Sequence, residues 1–352
     1  MEEILQEIYA RISDSLSKEI FIDRLNYSVT HEYCFLEKMV DRTVRNSRRW
    51  KKFCGILQDR ARLGDMFLFG AGVWGNILYN ETKGQVQWCG VIDNHPDGRT
   101  LADLEVITVG QFMQRCDDRT TVVISSHKNG LDMKEQLQDR SFCPDRILDA
   151  GKVIYDLTEG AIYFDLGNLH PRAGGEYFVD AGGFDGFTTL AFLNWCGGNG
   201  YSYCFEADPK NTGLIKENLR DINRCEIIPK ALWSKTADLY MRMEGNCGSA
   251  VTDQGMDDRV QKIRAVALDD ILGDKPVTFI KMDIEGAELE AIRGARHIIQ
   301  SQHPKLAVSI YHKYEDIWTI PSQIMEYDSG YRFYLRHYSF SDYDTVLYAI
   351  PQ

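Results

Sequence analysis

Acids and glycines stand around two apolar runs in residues 177–209, YFVDAGGFDGFTTLAFLNWCGGNGYSYCFEADP. Tyr177, Phe178 and Val179 lead into Asp180, Gly182 and Gly183 make a turn, and Gly186 follows Asp185. The second run, 201–205, ends on Glu206. Glycines let a backbone curve tightly beside a ligand, and an acid closing the second run is placed to accept hydrogen bonds from ribose hydroxyls. The turn carries acids and no base. That disfavours a pyrophosphate and suits an adenosine ligand with a sulfonium group, S-adenosylmethionine. Farther along, Asp283 and Glu285 follow the apolar run 277–280, and Tyr311 and His312 follow 306–310. An acid pair and a histidine at strand ends can take a proton from a hydroxyl, or hold a hard divalent ion such as magnesium. His312 is the expected base, because an ordinary histidine pKa of ~6.5 leaves it mostly neutral at pH 7. Asp283 and Glu285 are the alternative base, and with His312 they form the candidate metal set.

These residues need strands to deliver them. The runs 177–179, 201–205, 226–228, 277–280 and 306–310 read as five strands, with helices over 188–195 and 287–300. Two β-rich runs, 331–337 and 345–350, fit a terminal antiparallel hairpin on an otherwise parallel sheet. The fold class is therefore α/β. Placing the first and fourth strands side by side collects Asp180, Glu206, Asp283, Glu285 and His312 around one crevice. Lys230 and Ala231 end the third strand, where backbone meets an adenine ring. Tyr163 precedes the first strand and either lies over the ligand or belongs to the core. The polar stretch 245–255 reads as a flap over substrate or an inert loop.

Upstream, residues 1–60 read as a helical segment with a break at 23–32 and an apolar stripe of Ile4, Leu5, Ile8, Ile12, Leu16 and Ile20. It is expected to be an accessory or homo-oligomer-forming element. Its basic run (Arg42, Arg45, Arg48, Arg49, Lys51, Lys52) reads as a solvated face. Residues 61–155 form a small Rossmann-like unit, with a strand over 66–69 running into Gly70-x-Gly72-x-x-Gly75 and Asp93 standing 23 residues past Gly70. Thr108 and Gln111 spell a capping box, and Ser125, Ser126 and His127 arrive at the same end of the sheet. Nucleotide or nucleotide-sugar binding and a purely structural role stand equal for this unit. Residues 156–352 make the third segment.

A net charge of -12 works against nucleic-acid and anionic-membrane partners. The nine cysteines show no CxxC pair and several sit in apolar runs, as in a reducing compartment. No run approaches the ~18 apolar residues of a membrane helix. A cytoplasmic protein is expected.

Residues 163–350 resemble the FkbM family of S-adenosylmethionine-dependent O-methyltransferases. The pieces that carry the likeness are FVDAGGFDG (178–186), FEADP (205–209), RAVALDDIL (264–272) and FIKMDIEGAELEAIRGA (279–295). The resemblance implies the class I methyltransferase fold, with Asp180, Gly182, Gly183, Asp185 and Gly186 about the methionyl part of the cofactor. It further implies Glu206 on ribose, with Ala207 and Asp208 in the same turn, and Lys230 and Ala231 bordering the adenine. A hydroxyl on a carbohydrate-containing small molecule is the implied acceptor. Two rivals remain: a nicotinamide-dependent dehydrogenase or epimerase using Gly70 to Gly75, and a non-catalytic nucleotide-sugar module.

Overall fold

The computed structural model describes residues 1–96, 98, 100–242, 250–252 and 260–352. The chain divides into two compact units: Met1–Met39 with Ile162–His337 and Ser341–Gln352, and Val40–Ala161 with Tyr338–Phe340. Among the described residues no helix is long and apolar enough to cross a membrane.

The unit built on Val40–Ala161 holds strands β1 (Met66–Phe69), β2 (Trp88–Ile92), β3 (Thr100–Leu101), β4 (Leu104–Ile107), β5 (Thr121–Ile124) and β6 (Ile147–Asp149). Their order is β3-β4-β2-β1-β5-β6, with β1 parallel to both neighbours. Four consecutive apolar residues suit a central parallel strand covered on both faces, and all four residues of β1 are buried. Phe67, Phe69, Phe112 and Phe142 form the aromatic part of this core. The capping box forms as spelled, with Thr108 and Gln111 bonding each other's backbone amides.

The other unit is built on strands β7 (Glu176–Ala181), β8 (Gly200–Phe205), β9 (Cys225–Ile228), β10 (Ala231–Leu232), β11 (Ala237–Arg242), β12 (Ala250–Thr252), β13 (Val260–Val266), β14 (Phe279–Met282), β15 (Lys305–Ser309), β16 (Tyr331–His337) and β17 (Thr345–Pro351). Seven of them form one sheet in the order β16-β17-β15-β14-β7-β8-β9. β17 runs antiparallel to both β15 and β16, while β9, β8, β7, β14 and β15 are parallel. The terminal antiparallel hairpin closes one edge of an otherwise parallel sheet. The order reverses beside β7, so the carboxyl ends of β7, β8 and β14 open on one crevice. A second sheet, β10-β13-β11-β12, was not legible in the sequence. The expected flap over 245–255 lies largely outside the described residues.

Two further differences have local causes. The single helix expected over 287–300 is two, Glu288–Arg293 and Arg296–Gln302. They part at Gly294, where a Cβ would collide with the Trp233 carbonyl, so the packing demands glycine there. The break expected over 23–32 is confined to His31 and Glu32, between helices Ser15–Thr30 and Tyr33–Val40. Helix α1 (Glu2–Arg11) is followed by helix α2 (Ser15–Thr30), capped by Asp14 accepting from the Ser17 amide at 2.7 Å. Asn26 and Thr30 turn their side chains back onto carbonyls one turn earlier and so stay in the helix.

Residues 1–39 are thus not part of a separate helical segment ending near 60; they belong with the seven-stranded sheet. The Ser17 hydroxyl accepts from the Leu335 amide at 2.9 Å, and Arg336 pairs with Asp14 at 3.0 Å. Ile8, Ile12, Ile20 and Phe21 are buried beneath the two helices. Ile20→Ala is therefore expected to cost about 2–5 kcal/mol in urea unfolding. A loss below roughly 1 kcal/mol, the range of a surface change, would mean that α2 is not docked.

Candidate active site

The register of β7 and β14 puts Lys281 directly beside Asp180. Asp180 is 0% exposed, its Oδ2 accepting from Thr189 Oγ1 at 2.9 Å and its Oδ1 lying 3.2 Å from Lys281 Nζ. Lys281 also donates to the carbonyls of Ala181 and Gly182. Burial depresses the Lys281 pKa, but the charges of Asp180 and Asp283 outweigh it and the net shift is upward. Asp180, expected at the cofactor, is enclosed with its carboxylate against Lys281 and Thr189. It fixes the floor of the loop.

Above that floor the chain turns sharply. Gly182 has a φ of +80°, and a Cβ there would collide with the Asp283 carbonyl; Gly183 has no room beside Cys204 Sγ. Gly186 has a φ of +86° and precedes the helix Phe187–Trp195. The turn aims the Phe184 amide at Glu206 Oε2, 3.0 Å away, and the Asp208 amide donates to Oε1 at 2.7 Å. Glu206 is 7% exposed, and burial raises its pKa despite these two amides. Of the two acids expected at the cofactor, Asp208 caps a helix by accepting from the Lys210 amide, and Asp185 accepts from the Phe187 amide beside the start of the helix after Gly186. Ala207, Lys230 and Ala231 are half-buried beyond the carboxyl ends of β8 and β9. Lys230 and Ala231 follow β9 directly, where the Lys230 amide donates to the Ile228 carbonyl.

The end of β14 carries the second group. Asp283 Oδ2 accepts from the Tyr163 hydroxyl at 2.7 Å and Oδ1 from the Tyr311 hydroxyl at 3.1 Å. Burial pushes Asp283 upward, yet Lys281 and His312 overcome it and hold its pKa below the usual value. Tyr163 is buried with a φ of +72°, so its place is under Asp283 as a hydrogen-bond donor and part of the core. Glu285 has a φ of +56°, an uncommon conformation for this residue type, and its side chain is 28% exposed. Burial raises its pKa to about 7.

His312 is ringed by acids. Its Nδ1 lies 3.0 Å from Glu288 Oε1, and its Nε2 lies 3.4 Å from Glu285 and 3.6 Å from Asp283. Burial alone would lower its pKa, but Glu288, Asp283 and Glu285 raise it to about 9. A pKa raised to about 9 runs against the expectation of a His312 that is mostly neutral at pH 7. Glu288 was missed in the sequence reading although it stands three residues past Glu285 on the same motif. Fully buried, it accepts from the Ile284 amide as well as facing His312. Ligand atoms of Asp283, Glu288 and His312 all lie within 4.8 Å of one another, so Glu288 rather than Glu285 completes the set that could hold an ion.

In the Val40–Ala161 unit the glycine motif is built by similar means. A Cβ at Gly75 would collide with the Gly70 carbonyl, and Asp93 accepts from the amides of Ala71 and His95, as Glu206 does from Phe184 and Asp208. Ser125 donates to the carbonyls of Phe69 and Gly70, and the His127 ring stacks on Tyr155 with centroids 3.9 Å apart. Both are thereby tied to structural partners.

Residues 180–341 match the family model described as the methyltransferase FkbM domain. No curated protein matches the chain. Among solved structures it is similar to methyltransferase FkbM from Methylobacillus flagellatus, at 20% identity over 84% of this chain and 92% of that one, with a TM-score of 0.49. It is also similar to fibrillarin from Aeropyrum pernix in complex with natively bound S-adenosyl-L-methionine, at 14% identity over 55% of this chain and 73% of that one, with a TM-score of 0.36. Neither likeness carries a residue role or a substrate to this chain.

Proposed function

Residues 180–341 carry a methyltransferase FkbM domain, and from that premise we propose that the chain transfers a methyl group from S-adenosylmethionine to a hydroxyl of a sugar-containing small molecule. Glu206 carries the reading. Its buried carboxylate is fixed by two loop amides, no basic side chain bonds it among the described residues, and each oxygen retains a lone pair. A carboxylate so held accepts from the neighbouring hydroxyls of a ribose. The surrounding acids Asp180, Asp283, Glu285 and Glu288 outnumber the bases Lys281 and His312, a surplus that suits a cationic nucleotide.

The cofactor, when bound, supplies an electrophilic methyl carbon on a positively charged sulfur. The acceptor hydroxyl gives its proton to Glu285 as its oxygen takes the methyl group. With a pKa raised to about 7, Glu285 is partly ionised at neutral pH and matched to that task. The His312 imidazolium holds Glu285 and Asp283 in place, and Asp283, fixed by two tyrosines, orients this end of the crevice. No divalent ion is needed in this scheme. A chelator is expected to leave turnover unchanged, and a loss reversed by magnesium would put an ion between Asp283, Glu288 and His312. Calorimetry on the full chain separates the rivals: tight S-adenosylhomocysteine and weak NAD supports methyl transfer. The reverse ranking favours a dehydrogenase on Gly70 to Gly75, and binding of neither favours a non-catalytic module.

A further inference from the structure

Helix α2 lies outside the residues that match the family, yet it sends a charged side chain under the active site. Arg24 is 1% exposed, and its guanidinium bonds two backbone carbonyls: Nη1 donates to Asp342 at 3.0 Å and Nη2 to Tyr311 at 3.1 Å. Burying a guanidinium is costly, and hydrogen bonds to it offset the cost only when well made. The Tyr311 carbonyl belongs to the peptide unit that joins Tyr311 to His312. From that one peptide spring the Tyr311 hydroxyl bonded to Asp283 and the His312 ring facing Glu288 and Glu285. The far side of the turn is pinned by Asp316, whose Oδ2 accepts from the Lys313 amide at 3.0 Å. The clamp has a firm footing, because Ser17 and Asp14 tie α2 to Leu335 and Arg336 of β16.

We propose that Arg24 is a positioning residue of the active site, holding the Tyr311–His312 peptide so that His312 sits among Asp283, Glu285 and Glu288. Its catalytic consequence rests on the methyl-transfer reading; its geometric consequence does not.

The test uses the full chain labelled at the histidine ring carbons, with His312→Gln assigning the His312 signal among the eight histidines. Arg24→Met is expected to move the His312 ring signal away from its wild-type position, and Arg24→Lys to restore it in part. Affinity for S-adenosylhomocysteine should stay within roughly threefold of wild type, since the clamp and Glu206 share no partner. An unmoved His312 signal in folded Arg24→Met would overturn the proposal. So would a signal that moves only in step with lost nucleotide affinity, as general loosening would produce. If Arg24→Met does not fold, Arg24→Lys decides alone: it keeps the charge without the fork, so a displaced His312 signal supports the clamp and an unchanged one overturns it. A wild type that fails to bind S-adenosylhomocysteine would sink the methyl-transfer reading and leave this readout standing.

Discussion

Glu206→Ala is expected to raise the Kd for S-adenosylhomocysteine by on the order of 10²- to 10⁴-fold. Two hydrogen bonds to a charged carboxylate are lost, at about 1.5–3 kcal/mol each. The same carboxylate steadies the Phe184 and Asp208 amides, so the alanine variant also loosens the loop that Gly182 and Gly183 shape. Glu206→Gln separates the two effects. It keeps the volume and can still accept from one amide, so melting should fall less than in Glu206→Ala while affinity falls comparably. If Glu206 served only to organise the loop, both variants would lose melting temperature and any surviving folded protein would bind as wild type. Calorimetry beside a thermal melt distinguishes these outcomes.

Glu285→Gln is expected to lower turnover by roughly 10²- to 10⁴-fold, the usual contribution of a positioned base. The pH dependence identifies the base more sharply than the rate. Glu285 must be ionised to accept a proton, and its pKa is raised to about 7, so turnover should climb as pH rises through that value. His312 must stay charged to hold the acids together, and its pKa is raised to about 9, so turnover should fall above it. The expected profile is a bell between those two limbs, with the acid limb absent in Glu285→Gln. Were His312 the base, turnover would instead rise through about 9, and His312→Gln would be the more damaging variant.

Much of this arrangement is legible in the residues themselves. Apolar runs such as Met66 to Phe69 and Tyr177 to Val179 are strands because nothing but a buried parallel strand accommodates them, and the acids that end them mark the crevice. What the residues do within the crevice is another matter. Asp180, Asp185 and Glu206 look alike in sequence, yet Lys281 neutralises the first, a helix terminus takes the second, and two amides hold the third. Only the partners across the sheet decide this. The same holds for His312, whose charge depends on Glu288 being folded beneath it. The docking of α2 was hidden because Arg24 lies in the stretch 23–32 that reads as a break, whereas the helix runs through it to Thr30. The helix break at Gly294 depends on the Trp233 carbonyl, some sixty residues away, which no local pattern announces.

The most direct test of methyl transfer is to incubate the full chain with S-adenosylmethionine carrying a labelled methyl group and a panel of hydroxylated sugar-containing acceptors, following label and S-adenosylhomocysteine by mass spectrometry. The expected result is acceptor-dependent formation of S-adenosylhomocysteine, with the label on an acceptor oxygen, lost in Glu206→Ala and strongly reduced in Glu285→Gln. Label on nitrogen or carbon, or product formed equally well by Glu206→Ala, would contradict the account.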